Sequence, residues 1–170
     1  MKTLTRVLCV LSMTVLALVP AMAQQKPAPT PAQTIRAVFN DDNRKLIDMA
    51  KDFPADKYSF RLKPEMRTFG EVLVHVASGN VYAAKAGKGE AANWDELDPK
   101  KYPDKASIVA LMEKSSADCK AALAAESDDG FTKTLRPWMG VLEHNAEHYG
   151  LLVAYYRANG MVPPESRPKK

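Results

Sequence analysis

The chain has 170 residues, of which 24 are Lys or Arg, 20 are Asp or Glu, and 46% are hydrophobic. This length fits one domain and is too short for a TIM barrel or a two-domain dehydrogenase, which need roughly 200 residues or more. The formal net charge of +4 would suit a nucleic-acid-binding protein if the basic residues clustered, but no run of five Lys or Arg occurs. The composition therefore predicts a globular domain without a nucleic-acid partner.

The N-terminal segment, residues 1–23, has the three-part layout of a secretory signal peptide. Lys2 and Arg6 form a basic start, and Ala21-Met22-Ala23 supplies small residues for cleavage. The apolar run between them, residues 7–19, is shorter than the ~20 residues that cross a bilayer, which disfavours a membrane anchor. We therefore predict cleavage after this segment and export to the periplasm or the extracellular space, with no membrane attachment afterwards.

One cysteine, Cys119, remains after the predicted cleavage, because Cys9 lies in the signal segment. A single cysteine cannot form an intramolecular disulfide, although an exported protein would meet an oxidising compartment. The position of Cys119 among apolar helical residues favours a buried side chain, and a reactive thiol is the alternative.

Apolar residues recur at helical spacing in four segments that follow a Pro-rich tether, residues 24–31. The first helix is predicted to start at the capping box Thr30-Pro31-Ala32-Gln33 and to run to about Asp52. A second capping box, Thr68-Phe69-Gly70-Glu71, predicts a helix that continues to about Lys85 before glycines end it.

The third helix is predicted to be capped by Asp104 and to end near Glu126, where residues 127–130 (SDDG) interrupt the pattern. The fourth is predicted to begin between Thr134 and Pro137 and to run to residue 159, before a glycine.

No convincing strand or hairpin pattern is present. The sequence therefore predicts an all-α fold, a four-helix bundle of the up-and-down type with long connections. The bundle is assigned to residues 32–166 and a basic tail to residues 167–170. The long connections leave room for a non-adjacent order of helices.

All three histidines of the chain share helix faces with apolar residues. At about 100° per residue, His144 and His148 lie in the stripe that contains Leu151 and Tyr155, and His75 faces inward from the second helix. A buried imidazole needs partners for both ring nitrogens, and a shared divalent metal supplies one to all three rings. Each ring could instead be an ordinary core histidine. Imidazole is a ligand for nickel, copper and iron as well as for zinc, so the residues do not determine the identity of the metal.

Carboxylates near these histidines are candidates for a catalytic base. Glu71 lies one turn before His75 and could be a base or a hydrogen-bond acceptor, although its part in the capping box is the favoured interpretation. Glu143 and Glu147 lie off the apolar stripe and are predicted to be exposed. Asn145 stands where a zincin protease would need a glutamate, which disfavours that class.

Two tyrosines, Tyr82 and Tyr155, share the histidine faces. They could donate hydrogen bonds into a site, and packing in the core is the favoured interpretation.

Residues 63–75 read KPEMRTFGEVLVH and residues 144–150 read HNAEHYG. In order and spacing they resemble the DinB-like superfamily, in which a Pro-containing connection leads into a helix with the first histidine and a late helix carries His-x-x-x-His followed by Gly. The ending NGMVPP, residues 159–164, is similar to the exported bacterial members. The resemblance covers residues 31–166.

This resemblance implies a four-helix bundle, often a homodimer, that holds a divalent metal, typically nickel or zinc, through His75, His144 and His148. Some members are thiol transferases and others resemble metal-dependent hydrolases. The sequence departs from the common family pattern at Tyr149 and Leu151, where polar or basic residues are frequent. We therefore expect an exported metal-binding protein, a hydrolase or transferase acting on an unknown small molecule. The alternative is a non-catalytic binding protein with a vacant or structural histidine site.

Overall fold

The structure, a computed structural model, describes residues 27–168. They form four α-helices, α1 (Pro31–Asp52), α2 (Phe69–Gly87), α3 (Lys105–Ala125) and α4 (Asp128–Ala158), with three short 3-10 turns and no strand. The predicted all-α four-helix bundle is thereby confirmed. The predicted signal peptide, part of the tether and the end of the tail lie outside the described residues. Within them, no helix has an apolar stretch long enough to span a membrane.

The helix starts follow from local capping. The Thr30 side chain accepts a hydrogen bond from the Gln33 backbone while Gln33 reaches back to the Thr30 N–H, and Thr68 and Glu71 form the same reciprocal pair. Asp104 caps α3 in the same way. Each cap satisfies backbone N–H groups that the first helical turn leaves unpaired, so these predicted starts are confirmed.

The start of α4 differs from the prediction, because the helix begins at Asp128 and not between Thr134 and Pro137. The Ser127 side chain accepts the Gly130 N–H at 3.0 Å, so the SDDG segment both ends α3 and caps α4. Acidic residues in the first turn complement the positive end of the helix dipole. Pro137 lies inside the helix and cannot donate a backbone hydrogen bond to the preceding turn.

Two apolar clusters fill the bundle. One combines the C-terminal halves of α1 and α4 with the N-terminal halves of α2 and α3, and the other combines the opposite halves. The helix directions are therefore up, down, down, up. α1 and α2 each pack against both α3 and α4, so they lie diagonally across the bundle. The alternation of an up-and-down order therefore does not hold between α2 and α3, which run parallel because a long connection joins them. The non-adjacent order that the long connections leave room for is found in α1 and α2.

A polar layer separates the two apolar clusters. It is a chain of three asparagine side chains that are at most 2% exposed, one from each of three helices: Asn43, Asn80 and Asn145. Asn145 donates to Asn80 at 3.3 Å, Asn80 donates to Asn43 at 2.8 Å, and Asn43 donates to the Phe39 carbonyl at 3.1 Å. This asparagine chain ties α1, α2 and α4 together at mid-height.

The predicted basic tail is attached to the bundle through Arg167. Its guanidinium contacts the two carboxylate oxygens of Asp52 at 2.8 and 2.5 Å and also donates to the Val162 carbonyl. The last turn of the described chain therefore packs back onto the end of α1.

Candidate metal centre

The structure brings the three histidines together. His75 on α2 faces His144 and His148, which lie one turn apart on the antiparallel α4. The ring centroids are 4.4 to 4.9 Å apart, and one nitrogen of each ring lies within 4.8 Å of the others. All three rings are partly buried and not fully enclosed, so the group, here called the histidine cluster, lies at the edge of the core and can be reached from outside.

The facing nitrogens of two rings lie within hydrogen-bond distance of each other. His75 Nε2 and His144 Nε2 are 3.1 Å apart. Nitrogens bound to one tetrahedral zinc ion at about 2.0–2.1 Å lie roughly 3.3 Å apart, so this spacing fits shared coordination. Without a cation between them, one ring must donate its proton to the other.

Burial keeps two of the rings neutral. The pKa of His144 is lowered to about 4, mainly by burial and then by His75. The pKa of His148 is also lowered to about 4, by burial and then by His144 and His75. Neutral imidazole is the form that offers a lone pair to a metal.

Asp95 orients the third ring. Its Oδ1 lies 2.7 Å from His75 Nδ1, so Nδ1–H donates to the carboxylate and Nε2 is the nitrogen that faces the cluster. Asp95 lies in the connection between α2 and α3, 20 residues from His75. The sequence reasoning missed it, because an acidic residue in a loop carries no signal of its distant partner.

The neighbouring Trp94 forms a wall of the site. Its ring stacks on Tyr82 with centroids 4.1 Å apart and lies 5.1 Å from the His144 ring. Gly79 on α2 allows the His144 ring to lie close to that helix, because a Cβ at residue 79 would lie 2.7 Å from His144 Nδ1. The helix therefore needs its smallest residue where the histidine crosses it.

Several ring nitrogens lack protein partners among the described residues. The Nδ1 atoms of His144 and His148 are buried without a hydrogen bond. Each such group costs about 1–3 kcal/mol. A cation on Nε2 of His144 would leave that Nδ1 without a partner, so the fit to a metal rests on the donor set itself. Three ring nitrogens within 4.8 Å of one another are ligands that transition metals prefer.

The other predicted candidates have different surroundings. Glu71 completes the α2 capping box, accepting the Thr68 N–H at 2.6 Å, and lies 3.6 Å from the Arg61 guanidinium. Its carboxylate is therefore engaged, although it lines a cleft beside His75. Glu143 and Glu147 are exposed, as predicted.

The tyrosines and the cysteine serve the core. Tyr82 packs on Trp94, and Tyr155 is buried with its hydroxyl donating to the Arg67 carbonyl. Cys119 is buried as predicted, and burial raises the pKa of its thiol to about 12, which opposes a reactive thiolate.

The protein is therefore a helical bundle whose histidine cluster, between two antiparallel helices, could hold a transition metal. The chain matches the DinB superfamily over residues 39–157, a span that includes all three histidines. It therefore belongs to the DinB superfamily, and the resemblance noted in the sequence is confirmed. No match was found among curated proteins.

Proposed function

We propose that this DinB superfamily protein binds a divalent transition metal, nickel or zinc, through His75, His144 and His148. The observation that carries the proposal is the 3.1 Å approach of the His75 and His144 Nε2 atoms within a cluster in which each of three rings offers a nitrogen within 4.8 Å of the others. Three neutral nitrogen ligands are typical of catalytic sites, since they leave a coordination position open.

Hydrolysis or group transfer is the reaction class that such a site serves. A bound divalent ion supplies Lewis acidity at the open position. The chain's own residues would position it: Asp95 accepts a hydrogen bond from the ring of His75, and Trp94 packs against the ring of His144. Glu71 remains the candidate base from the sequence, and its engagement in the helix cap is the argument against that role.

Metal analysis of untagged protein tests the first step. We expect about one zinc or nickel ion per chain, and no high-affinity site in His144→Ala. Glu147→Ala is the matched control, because it removes an exposed side chain next to His148 and should bind metal normally. Wild-type protein that takes up no transition metal on titration would overturn the proposal.

Catalysis needs a separate experiment. A panel of hydrolase and thiol-transfer substrates should show activity in the metal-loaded protein and none in His148→Ala. Equal activity in both would exclude a role for the cluster. Metal binding without any activity would favour the non-catalytic binding protein.

Export and dimerisation complete the proposal. Export rests on the basic, apolar and small-residue order of residues 1–23, and the homodimer rests on the family resemblance. The N-terminal mass of protein recovered from the periplasm or medium tests the first, and light scattering tests the second.

A further inference from the structure

Two clefts of different character meet at the histidine cluster. The first, here the polar cleft, has a volume of about 300 Å³ and is lined by His75 and by the carboxylates of Glu71, Asp95 and Asp98. The second, the apolar cleft, has a volume of about 430 Å³. Its walls include His148, the exposed carboxylate of Glu65 and four larger apolar side chains: Met66, Val72, Leu151 and Tyr155.

Arg67 lines both clefts and is the one Lys or Arg side chain that lines either of them in the described part of the chain. Its guanidinium is about half exposed and has a single ion-pair contact, 3.9 Å from Asp95. A guanidinium carries five N–H donors, so most of its capacity is available to a ligand. The buried Tyr155 donates its hydroxyl to the Arg67 carbonyl, which fixes the backbone at this position.

The apolar cleft has a rigid floor and a more open rim. Val72 and Tyr155 are 1% and 0% exposed, so packing holds them in place. Leu151 and Met66 are partly buried. Leu151 lies one turn beyond His148 on α4, so an apolar chain in this cleft would run along α4 away from the cluster.

Charge decides which end of a ligand enters which cleft. The polar cleft has three carboxylates and the apolar cleft has one, that of Glu65, so a ligand anion is disfavoured most in the polar cleft, whereas Arg67 attracts one at the junction. An apolar chain gains free energy only where its surface leaves water, and the apolar cleft supplies that surface.

We propose that the site takes a small carboxylic acid with an apolar chain, whose carboxylate pairs with Arg67 beside the histidine cluster and whose chain lies against Leu151. The proposal names a ligand class for the same site and therefore rests on the proposed metal function. Arg67 is the positioning residue for the acid group, and the apolar cleft selects for chain length.

NMR titration of the zinc-loaded protein with acetate and with hexanoate tests this. Each fully buried methylene is worth about a fourfold gain in affinity. Because the rim is partly open, we expect hexanoate, with its longer chain, to bind at least about tenfold more tightly than acetate. Arg67→Gln should weaken both ligands by about tenfold. Lys63→Gln removes an exposed cation outside both clefts and should change neither.

Two matched variants locate the chain. Leu151→Asn keeps the branched shape of the side chain at a smaller volume and replaces apolar surface with an amide, so it should reduce the preference for hexanoate to about threefold or less, with acetate unchanged. Leu97→Asn makes the same change in the polar cleft and should leave the preference intact. Zinc content is measured for every variant, so that loss of the metal is not mistaken for loss of ligand contacts.

The outcomes separate this proposal from the preceding one. Wild-type protein that takes up no zinc overturns the metal site and the ligand class together. Zinc-loaded protein that binds acetate and hexanoate equally overturns the ligand class alone. So does Arg67→Gln with unchanged affinities, or a preference for hexanoate that is lost in Leu97→Asn and retained in Leu151→Asn.

Discussion

The asparagine chain and the histidine cluster occupy neighbouring positions on α2 and α4, yet their polar atoms differ in how many have hydrogen-bond partners. In the asparagine chain, each amide donates to the next and the last donates to a backbone carbonyl. Asn145 Oδ1 is its one atom buried without a partner. In the histidine cluster, two rings have a buried nitrogen without a partner, and the closest contact joins two ring nitrogens.

The difference comes from the chemistry of the two groups. A primary amide carries donors and an acceptor, so a row of amides satisfies itself and stabilises helix packing without a ligand. A neutral imidazole has one donor and one lone pair, so three rings around one point satisfy one another only in part. Polar residues on the same helices therefore separate into a structural layer and a site with ring nitrogens that could hold a metal ion.

Asn80→Ala should produce the largest effect on stability. Asn80 is fully buried in the middle of the chain, so its removal leaves Asn43 without a donor and Asn145 without an acceptor. We expect the free energy of unfolding, measured with urea, to fall by about 2–4 kcal/mol.

The control is Asn40→Ala, which removes an exposed asparagine from the same bundle and should change stability by less than about 0.5 kcal/mol. If Asn80→Ala abolished zinc binding as completely as His144→Ala while leaving stability intact, the division between structural layer and site would be wrong.

Zinc should stabilise the protein only through the histidine cluster. At a free zinc concentration of about 100 times the dissociation constant, a ligand that binds only the folded state adds about 2.7 kcal/mol to the free energy of unfolding. We expect this increase in wild type and none in His144→Ala. Equal stabilisation of both proteins would show that zinc binds elsewhere.

The sequence predicted the features whose signals are local. The capping boxes at Thr30 and Thr68 specify helix starts within four residues, so those starts were correct. The angular position of each histidine on its own helix predicted that all three rings face the core. That prediction required only the periodicity of each helix. Asp95 and Trp94 were missed, since a loop's path is set by the helices on which it packs.

The start of α4 was missed for a related reason. Pro137 was read as a boundary, and the capping signal at Ser127 was read only as a break. The SDDG segment is compatible with both interpretations, and only the packing of the first turns of α4 against the second apolar cluster, through Phe131, decides between them.

Gly79→Ala tests whether the shape of α2 positions the cluster. The added Cβ would lie 2.7 Å from His144 Nδ1 and 3.3 Å from the Trp94 ring, so the imidazole would have to shift. Overpacking of this kind costs about 1–3 kcal/mol, and we expect zinc affinity, measured by competition with a chelator, to fall about 30-fold.

Gly150→Ala is the matched control, because a Cβ at that α4 position meets nothing within 4 Å. It should leave zinc affinity unchanged and slightly favour the helix. Wild-type affinity in Gly79→Ala would mean that His144 does not need its observed position to bind metal.

Asp95→Asn should give the smallest change in zinc affinity, because it changes the charge of one hydrogen-bond partner and leaves every histidine ring in place. The amide can still accept from His75 Nδ1–H, but it no longer strengthens the lone pair on Nε2. Outer partners of metal-bound histidines are worth about 10–100-fold in metal affinity, and the exposure of Asp95, 72%, places the expected loss near tenfold.

Glu96→Gln makes the same change one residue along the chain, where the carboxylate pairs with Lys85, and should leave zinc affinity unaltered. Equal losses in the two variants would mean that the loop's general negative charge, and not the contact to His75, supports metal binding.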